Sequence, residues 1–277
     1  MRVGIIGAGA MGAGIGGRLA SRGAAVLTLL DGRSAATCQR AAAAGMVASD
    51  ADGLATCDLI LSIVPPAQAS AVVERVLPVL AANPEIPFCD ANALAPASKR
   101  ILARRVRATG ARFADGSIIG HPPGADGPGP RLYVSGAAAR AFVPLGQCGL
   151  DVRPMAGGVG EAAALKMCYA ALNKGLTALT AAALLAGQKT GMADMLMAEL
   201  GLSQKPVLDR ARRAVPEMYP KAYRWVAEME EIADFLEADA ADPSAALIWR
   251  GMARFFDDRA QAERDGSEQA VLDLLAG

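Results

Sequence analysis

The sequence predicts an α/β protein: a mostly parallel sheet flanked by helices over residues 1–156, then an all-α region over 157–277. Short apolar runs alternate with alanine-rich, helix-prone segments through the first part, a pattern that covers both faces of a parallel sheet with helices. Past Gly157-Gly158 the strand signal stops and only helical periodicity remains. A glycine-rich turn joins the first apolar run to the first helix.

The apolar runs at 2–7, 25–30, 58–64, 86–90, 112–117 and 131–135 read as strands. Between the first five lie helical patterns at 11–22, 34–44, 67–80 and 96–108. Pro65-Pro66 and Pro96 stand at strand-to-helix junctions, where a missing N–H does no harm. In the second part, 160–186 reads as one long helix. Further helices are expected at 192–201, 203–214, 217–238 and 244–258, with Pro206, Pro216, Pro220 and Pro243 near their starts. The stretch PPGADGPGP, 122–130, is a surface loop or a mobile lid.

Composition excludes several functions. The chain has 277 residues, 53% hydrophobic, with 28 basic and 28 acidic side chains. That balance leaves no net field to recruit nucleic acid or an anionic membrane. The single histidine, His121, rules out a histidine-rich metal site. Five cysteines without a CxxC pair fit a reducing, cytoplasmic setting. Met1-Arg2 leads straight into VGIIG, so the start reads as a strand rather than a secretory signal. The most membrane-like stretch, GLTALTAAALLA at 175–186, is shorter than the ~20 apolar residues of a spanning helix and reads as a buried helix.

The segment VGIIGAGAMGAGI carries G-x-G-x-x-G at Gly7, Gly9 and Gly12, after a strand and opening a helix. Gly7 permits the tight turn, Gly9 lets the backbone approach a pyrophosphate, and Gly12 lets helix and strand pack closely. Free N–H groups at the helix start then face the phosphates. The first part is therefore expected to be a Rossmann dinucleotide-binding domain.

Cofactor choice falls on LLDGRS at 29–34. Asp31 stands about 20 residues past the last glycine, where a carboxylate accepts the ribose 2′-hydroxyl of NAD. Arg33 offers a planar fork matched to the 2′-phosphate of NADP. Ser34 adds a hydroxyl and is also placed to cap the next helix. On these residues alone both cofactors stay open.

On the long helix, Ala162, Lys166, Ala170, Asn173, Thr177 and Thr180 share one small, polar stripe, flanked by Leu165, Met167, Leu172, Leu176 and Leu179. Such a stripe suits a cleft wall. A lysine there can exchange protons near neutral pH; the alternative is a lysine snorkelling from a core helix. The cluster Lys99, Arg100, Arg104, Arg105 and Arg107 reads as a solvated helix face, and the acids of 225–237 as solvated too. Tyr169, Tyr219, Tyr223 and Trp225 read as packing residues that could also shape a pocket.

These segments together resemble the β-hydroxyacid dehydrogenase superfamily of 3-hydroxyisobutyrate and 6-phosphogluconate dehydrogenases, within it a poorly characterised phosphogluconate-dehydrogenase-like branch. The resemblance covers nearly the whole chain and is carried by GIIGAGAMG (4–12), DLILSIVPP (58–66), DANALAP (90–96), DGSIIG (115–120) and GEAAALKMCYAALNKG (160–175). It implies a cofactor site of Gly7, Gly9, Ala10, Met11, Gly12, Asp31, Arg33, Ser34, Val64, Pro65 and Asn92. The branch's acidic residue followed by Gly-Arg-Ser favours NADP, with NAD as the alternative. It implies Lys166 as general acid/base and a substrate region of Ser117, Ile119, Gly120 and His121. Three positions depart from the family: Ile119 stands where it has serine, His121 where it has glycine, and Ala170 where it has asparagine. Asn173, nearly two turns past Lys166 on the same face, is the candidate replacement.

The resulting expectation is an NADP-dependent oxidoreductase of a small β-hydroxy acid or its aldehyde or keto partner, with Lys166 and Asn173 at the catalytic centre and no metal. An imine reductase or reductive aminase on the same scaffold is the second expectation, and a non-catalytic NADP-binding sensor the third. The partners expected are a small-molecule substrate and a second copy of the chain, with neither nucleic acid nor membrane.

Overall fold

The first strand follows directly from its sequence. In RVGII, Val3 and Ile5 point to one side and Gly4 and Ile6 to the other, and the strand pairs in parallel with neighbours on both edges. The computed structural model describes residues 1–124, 127 and 129–276. It divides into two compact units, Met1–Lys166 and Met167–Gly277.

The first unit runs β1 (Arg2–Ile6), α1 (Ala10–Ser21), β2 (Ala25–Leu29), α2 (Ala35–Ala43), β3 (Val47–Ser49), α3 (Ala51–Leu54), β4 (Leu59–Ser62), a 3₁₀ turn (Pro66–Gln68), α4 (Ala69–Ala82), β5 (Phe88–Asp90), α5 (Pro96–Arg107), β6 (Phe113–Ile119), β7 (Arg131–Ser135), a 3₁₀ segment (Ala139–Cys148) and β8 (Asp151–Pro154). Helix α6 (Glu161–Thr190) starts here and continues into the second unit. The strands form one sheet in the order β3-β2-β1-β4-β5-β6-β7-β8, and all neighbours are parallel except β6 and β7. Ile15, Leu19 and Phe142 pack on one face of the sheet; Leu54, Val73, Val76 and Leu102 pack on the other. This is the expected doubly covered α/β architecture.

Two strands were not legible in the sequence. β3 has three residues, none fully buried, and β8 is an edge strand with Asp151, Arg153 and Pro154. Neither has an apolar alternation: no β3 residue is fully buried, and in β8 only Val152 packs, half-buried, against the core. Of the loop at 122–130, residues 125, 126 and 128 lie outside the described residues, and so does the lid expectation. Arg18 on α1 donates to the carbonyls of Gly124 and Gly127 at 2.8 and 2.7 Å.

Lys99 overturns the expected solvated face. Its side chain is fully buried, with Nζ 2.6 Å from Asp90 Oδ1 and 3.4 Å from Asp115 Oδ1. The reason lies in the sheet. Asp90 and Asp115 are register partners on β5 and β6, so two adjacent interior carboxylates are compensated by a cation from the helix above. Burial pushes the Lys99 ammonium down, but Asp90 and Asp115 outweigh burial and hold it above the ordinary lysine value. Arg100, Arg104 and Arg107 are exposed as expected, and Arg105 pairs with Glu74.

The second unit is helical among its described residues: the remainder of α6, then α7 (Ala193–Ser203), α8 (Lys205–Met218), a 3₁₀ turn (Tyr219–Lys221), α9 (Ala222–Ala238), α10 (Pro243–Asp265) and α11 (Gln269–Ala276). Pro206 and Pro243 open helices as expected, whereas Pro216 lies inside α8, which runs past it to Met218. Asp242 caps α10 by accepting from the Ala245 amide at 2.9 Å. Trp225 on α9 meets Phe256 on α10 edge-on, with ring centroids 5.1 Å apart, and Tyr219 is buried, which bears out their packing role; Tyr223 is exposed.

Helix α6 is longer than its apolar core suggested. It is long and apolar enough to cross a membrane by length and composition, and half of that window is buried within the fold. Leu172 and Leu179, which flank the polar stripe, are 64% and 61% exposed.

Candidate active site

The site is built at the carboxyl edge of the parallel strands, where β1, β4, β5 and β6 each hand over to a loop. Gly7 has φ +111°, and a Cβ there would stand 2.2 Å from the Ile63 carbonyl oxygen. A Cβ on Gly12 would stand 1.8 Å from the Gly7 carbonyl oxygen, so both glycines are required by the fold itself. Gly9 is different: nothing lies within 4 Å of its would-be Cβ. It precedes Ala10, the first residue of α1, and offers no side-chain cap. The exposed Ala10 and half-buried Met11 then begin the helix, and the free amides of a helix start are the groups that take a phosphate. Arg40 on α2, not singled out from sequence, donates to the Ala8 carbonyl of the same loop at 3.0 Å.

Past β2, Gly32 takes φ +70°, turning the chain between Asp31 and Arg33. Asp31 is almost fully exposed and lies 3.4 Å from the Arg75 guanidinium of α4. Arg33 donates to Gln68 Oε1 at 3.1 Å. Ser34 caps α2, accepting from the Thr37 amide at 3.3 Å. Arg75 on α4 and Gln68 in the 3₁₀ turn before it were missed because their contacts arise from packing against the loop after β2, which no local spacing reveals.

After β4, the Val64 amide donates to Asn92 Oδ1 at 2.7 Å, and the exposed Pro65 follows. Asn92 is 3% exposed. Its amide nitrogen donates to Ser62 Oγ at 3.0 Å and to Asp90 Oδ2 at 2.6 Å, so both carboxamide protons go to protein acceptors. Asn92 therefore ties the β4 and β5 loops together.

At the end of β6, Lys166 Nζ donates to the Ile118 carbonyl at 2.8 Å. This brings the lysine beside the segment that carries Ser117, Ile119, Gly120 and His121. Ser117 and Ile119 are buried, Gly120 has φ +128°, and His121 is exposed. The Ser117 hydroxyl has no hydrogen-bond partner among the described residues. Asn173 belongs to the second unit, where Arg210 donates to its main-chain carbonyl at 2.9 Å and to its carboxamide oxygen. No cluster of His, Cys, Asp and Glu fit for a metal occurs among the described residues.

The profile of the NAD-binding domain of 6-phosphogluconate dehydrogenase matches residues 2–143, and that of a domain of unknown function (DUF1932) matches 188–258. No curated protein matches by sequence. Among solved structures, the conserved protein MTH1747 of unknown function, itself reported as similar to 3-hydroxyacid dehydrogenases, is 27% identical with a TM-score of 0.74, covering 96% of this chain and 99% of that one. Mycobacterium tuberculosis 3-hydroxyisobutyrate dehydrogenase with L-serine is 19% identical, TM-score 0.74, covering 94% of each chain. An imine reductase variant from Myxococcus stipitatus in complex with NAD+ is 21% identical, TM-score 0.61, covering 100% of this chain and 99% of that one.

Proposed function

The chain belongs to the β-hydroxyacid dehydrogenase superfamily of NAD(P)-dependent oxidoreductases, and we propose that it is an NADP-dependent enzyme acting on a small β-hydroxy acid or its aldehyde or keto partner, with Lys166 as general acid/base. The observation that carries this reading is the Lys166 Nζ contact with the Ile118 carbonyl, at the same strand edge as the glycine loop. In open α/β sheets, ligands bind outside the carboxyl ends of the strands.

The residues present fit a nicotinamide dinucleotide. The open space at Gly9 and the leading amides of α1 suit its pyrophosphate. Arg33 is proposed to take the 2′-phosphate, and Arg75, beside Asp31, offsets the carboxylate that would otherwise repel it. The bound nicotinamide supplies or accepts the hydride. Lys166 accepts the hydroxyl proton in oxidation and returns it in reduction, and the Ile118 carbonyl fixes the direction of its amine. Ser117, Ile119, Gly120 and His121 are assigned to the substrate, Ser117 through its unpartnered hydroxyl. Asn173 is retained as the candidate second catalytic residue, with Arg210 donating to its carboxamide oxygen.

The apolar Ile119, 3% exposed where the superfamily has serine, favours a second reading as an imine reductase. Following NADPH consumption against keto and aldehyde acids, and separately cyclic imines, separates the two. Tight NADPH binding with no turnover on either panel would favour the sensor. We also infer a homodimer formed through the second unit, where Leu172, Leu179, Met195, Leu202 and Leu247 are 61–85% exposed. A single-chain mass by light scattering would remove that inference.

A further inference from the structure

Ser62, Asp90, Asp115 and Ser135 are register partners across four consecutive strands, β4 to β7, and none has any exposure. Lys99 descends on this row from α5. Its Nζ donates to Asp90 Oδ1 and to the Asp90 carbonyl, both at 2.6 Å, and to the Gly116 carbonyl at 3.0 Å. From Asp90 the bonds run to Asn92 and on to the Val64 amide, at the cofactor edge. From Asp115 they run to the start of α6. Asp115 Oδ2 accepts from the Gly160 and Ala163 amides at 2.9 and 3.1 Å and from Ser135 Oγ at 3.3 Å, while Ser135 Oγ accepts from the Ala162 amide at 3.1 Å. Lys166 stands one turn beyond Ala163.

We propose that Lys99 is a positioning residue for the reaction: its buried ammonium, shared between Asp90 and Asp115, locks the first turn of α6 to the strand edge that carries Asn92, and so holds the Lys166 amine in place. The inference rests on the reading of Lys166 as acid/base. Asp115 accepts the leading amides of α6 directly, and Lys99 holds Asp115 against Asp90, whose like charge would otherwise drive them apart. The position of Lys166 is then set by a residue that touches neither substrate nor cofactor.

The test uses Lys99→Met/Asp115→Asn. Wild type buries two carboxylates and one ammonium in this cluster; the double variant buries Asp90 alone, with the same net charge. Melting curves and circular dichroism establish folding. The amine of Lys166 is then acylated with acetic anhydride across a pH series and read by peptide mass spectrometry, with Lys174, paired with Glu228 in the second unit, as the internal control. The expected result is acylation of Lys166 at least about threefold faster at every pH, as for a locally loosened amine, with Lys174 unchanged. Lys99→Gln alone, which leaves Asp115 as acceptor of the α6 amides and removes only the ammonium, carries the same expectation, separates Lys99 from Asp115, and serves if the double variant does not fold. An unchanged Lys166 rate in a folded variant overturns the proposal. Wild-type protein that binds neither NADPH nor NADH would sink the oxidoreductase reading instead, and the labelling result would stand apart from it.

Discussion

Lys166 Nζ and the carbonyl oxygen of Ile118 are 2.8 Å apart, joining the second turn of α6 to the end of β6. This bond aims a long, flexible side chain at one place on the strand edge, where the proposed proton exchange would take place. Replacing Lys166 by alanine removes the proposed proton carrier and leaves the glycine loop, Val64 and Asn92 intact. Lys166→Ala is therefore expected to keep NADPH affinity and to lose about 10²–10⁴-fold in turnover, measured as kcat on any substrate found. Wild-type turnover in that variant would remove Lys166 from the mechanism.

Two glycines of one motif should fail in different ways. Gly12→Ala drives a Cβ into the Gly7 carbonyl, and a lower denaturation midpoint is expected, by roughly 1–3 kcal/mol of overpacking or more. Gly9→Ala meets no protein atom within 4 Å. It should fold normally and bind NADPH at least about tenfold more weakly, a loss of roughly 1.4 kcal/mol. Equal stability losses in the two variants would contradict the assignment of Gly9 to the cofactor.

The sheet, its two helical layers and the helical second half were legible because each carries its own period: two in Val3–Ile5, near 3.6 in Val72–Val76–Val79. The glycine loop was legible because its spacing is local. What escaped was lateral. Asp90 and Asp115 read as separate strand residues, and only strand pairing makes them neighbours. Lys99 therefore looked like one more base in a basic helix. Asn92 was marked for the site, but its bonds to Ser62 and Val64 depend on β4 lying beside β5. The contacts Arg33–Gln68 and Arg75–Asp31 likewise come from helix placement, which single-sequence periodicity does not encode.

Lys99→Met alone leaves two buried carboxylates without their cation. It should cost roughly 3–5 kcal/mol in denaturant unfolding at neutral pH. The pH dependence has a definite sign. Asp90 and Asp115 hold the Lys99 ammonium above its ordinary value of 10.5, so its contribution is fully present below that pH and is lost as pH rises beyond it. The stability gap between wild type and Lys99→Met should stay level from neutral pH to about 10 and close above it. A gap that closes on acidification alone would place the effect elsewhere.

A cofactor at the β1–α1 loop, with Arg33 reading its 2′-phosphate, is the claim on which the proposed function depends. Fluorescence titration of the purified protein with NADPH, and separately with NADH, tests it. Saturable binding of both is predicted, with NADPH tighter by about tenfold or more, and with Arg33→Ala losing about 1.5–3 kcal/mol of that preference, as for a hydrogen bond to a charged group. Tighter NADH binding would return the choice to Asp31, and no saturable binding of either would contradict the oxidoreductase account.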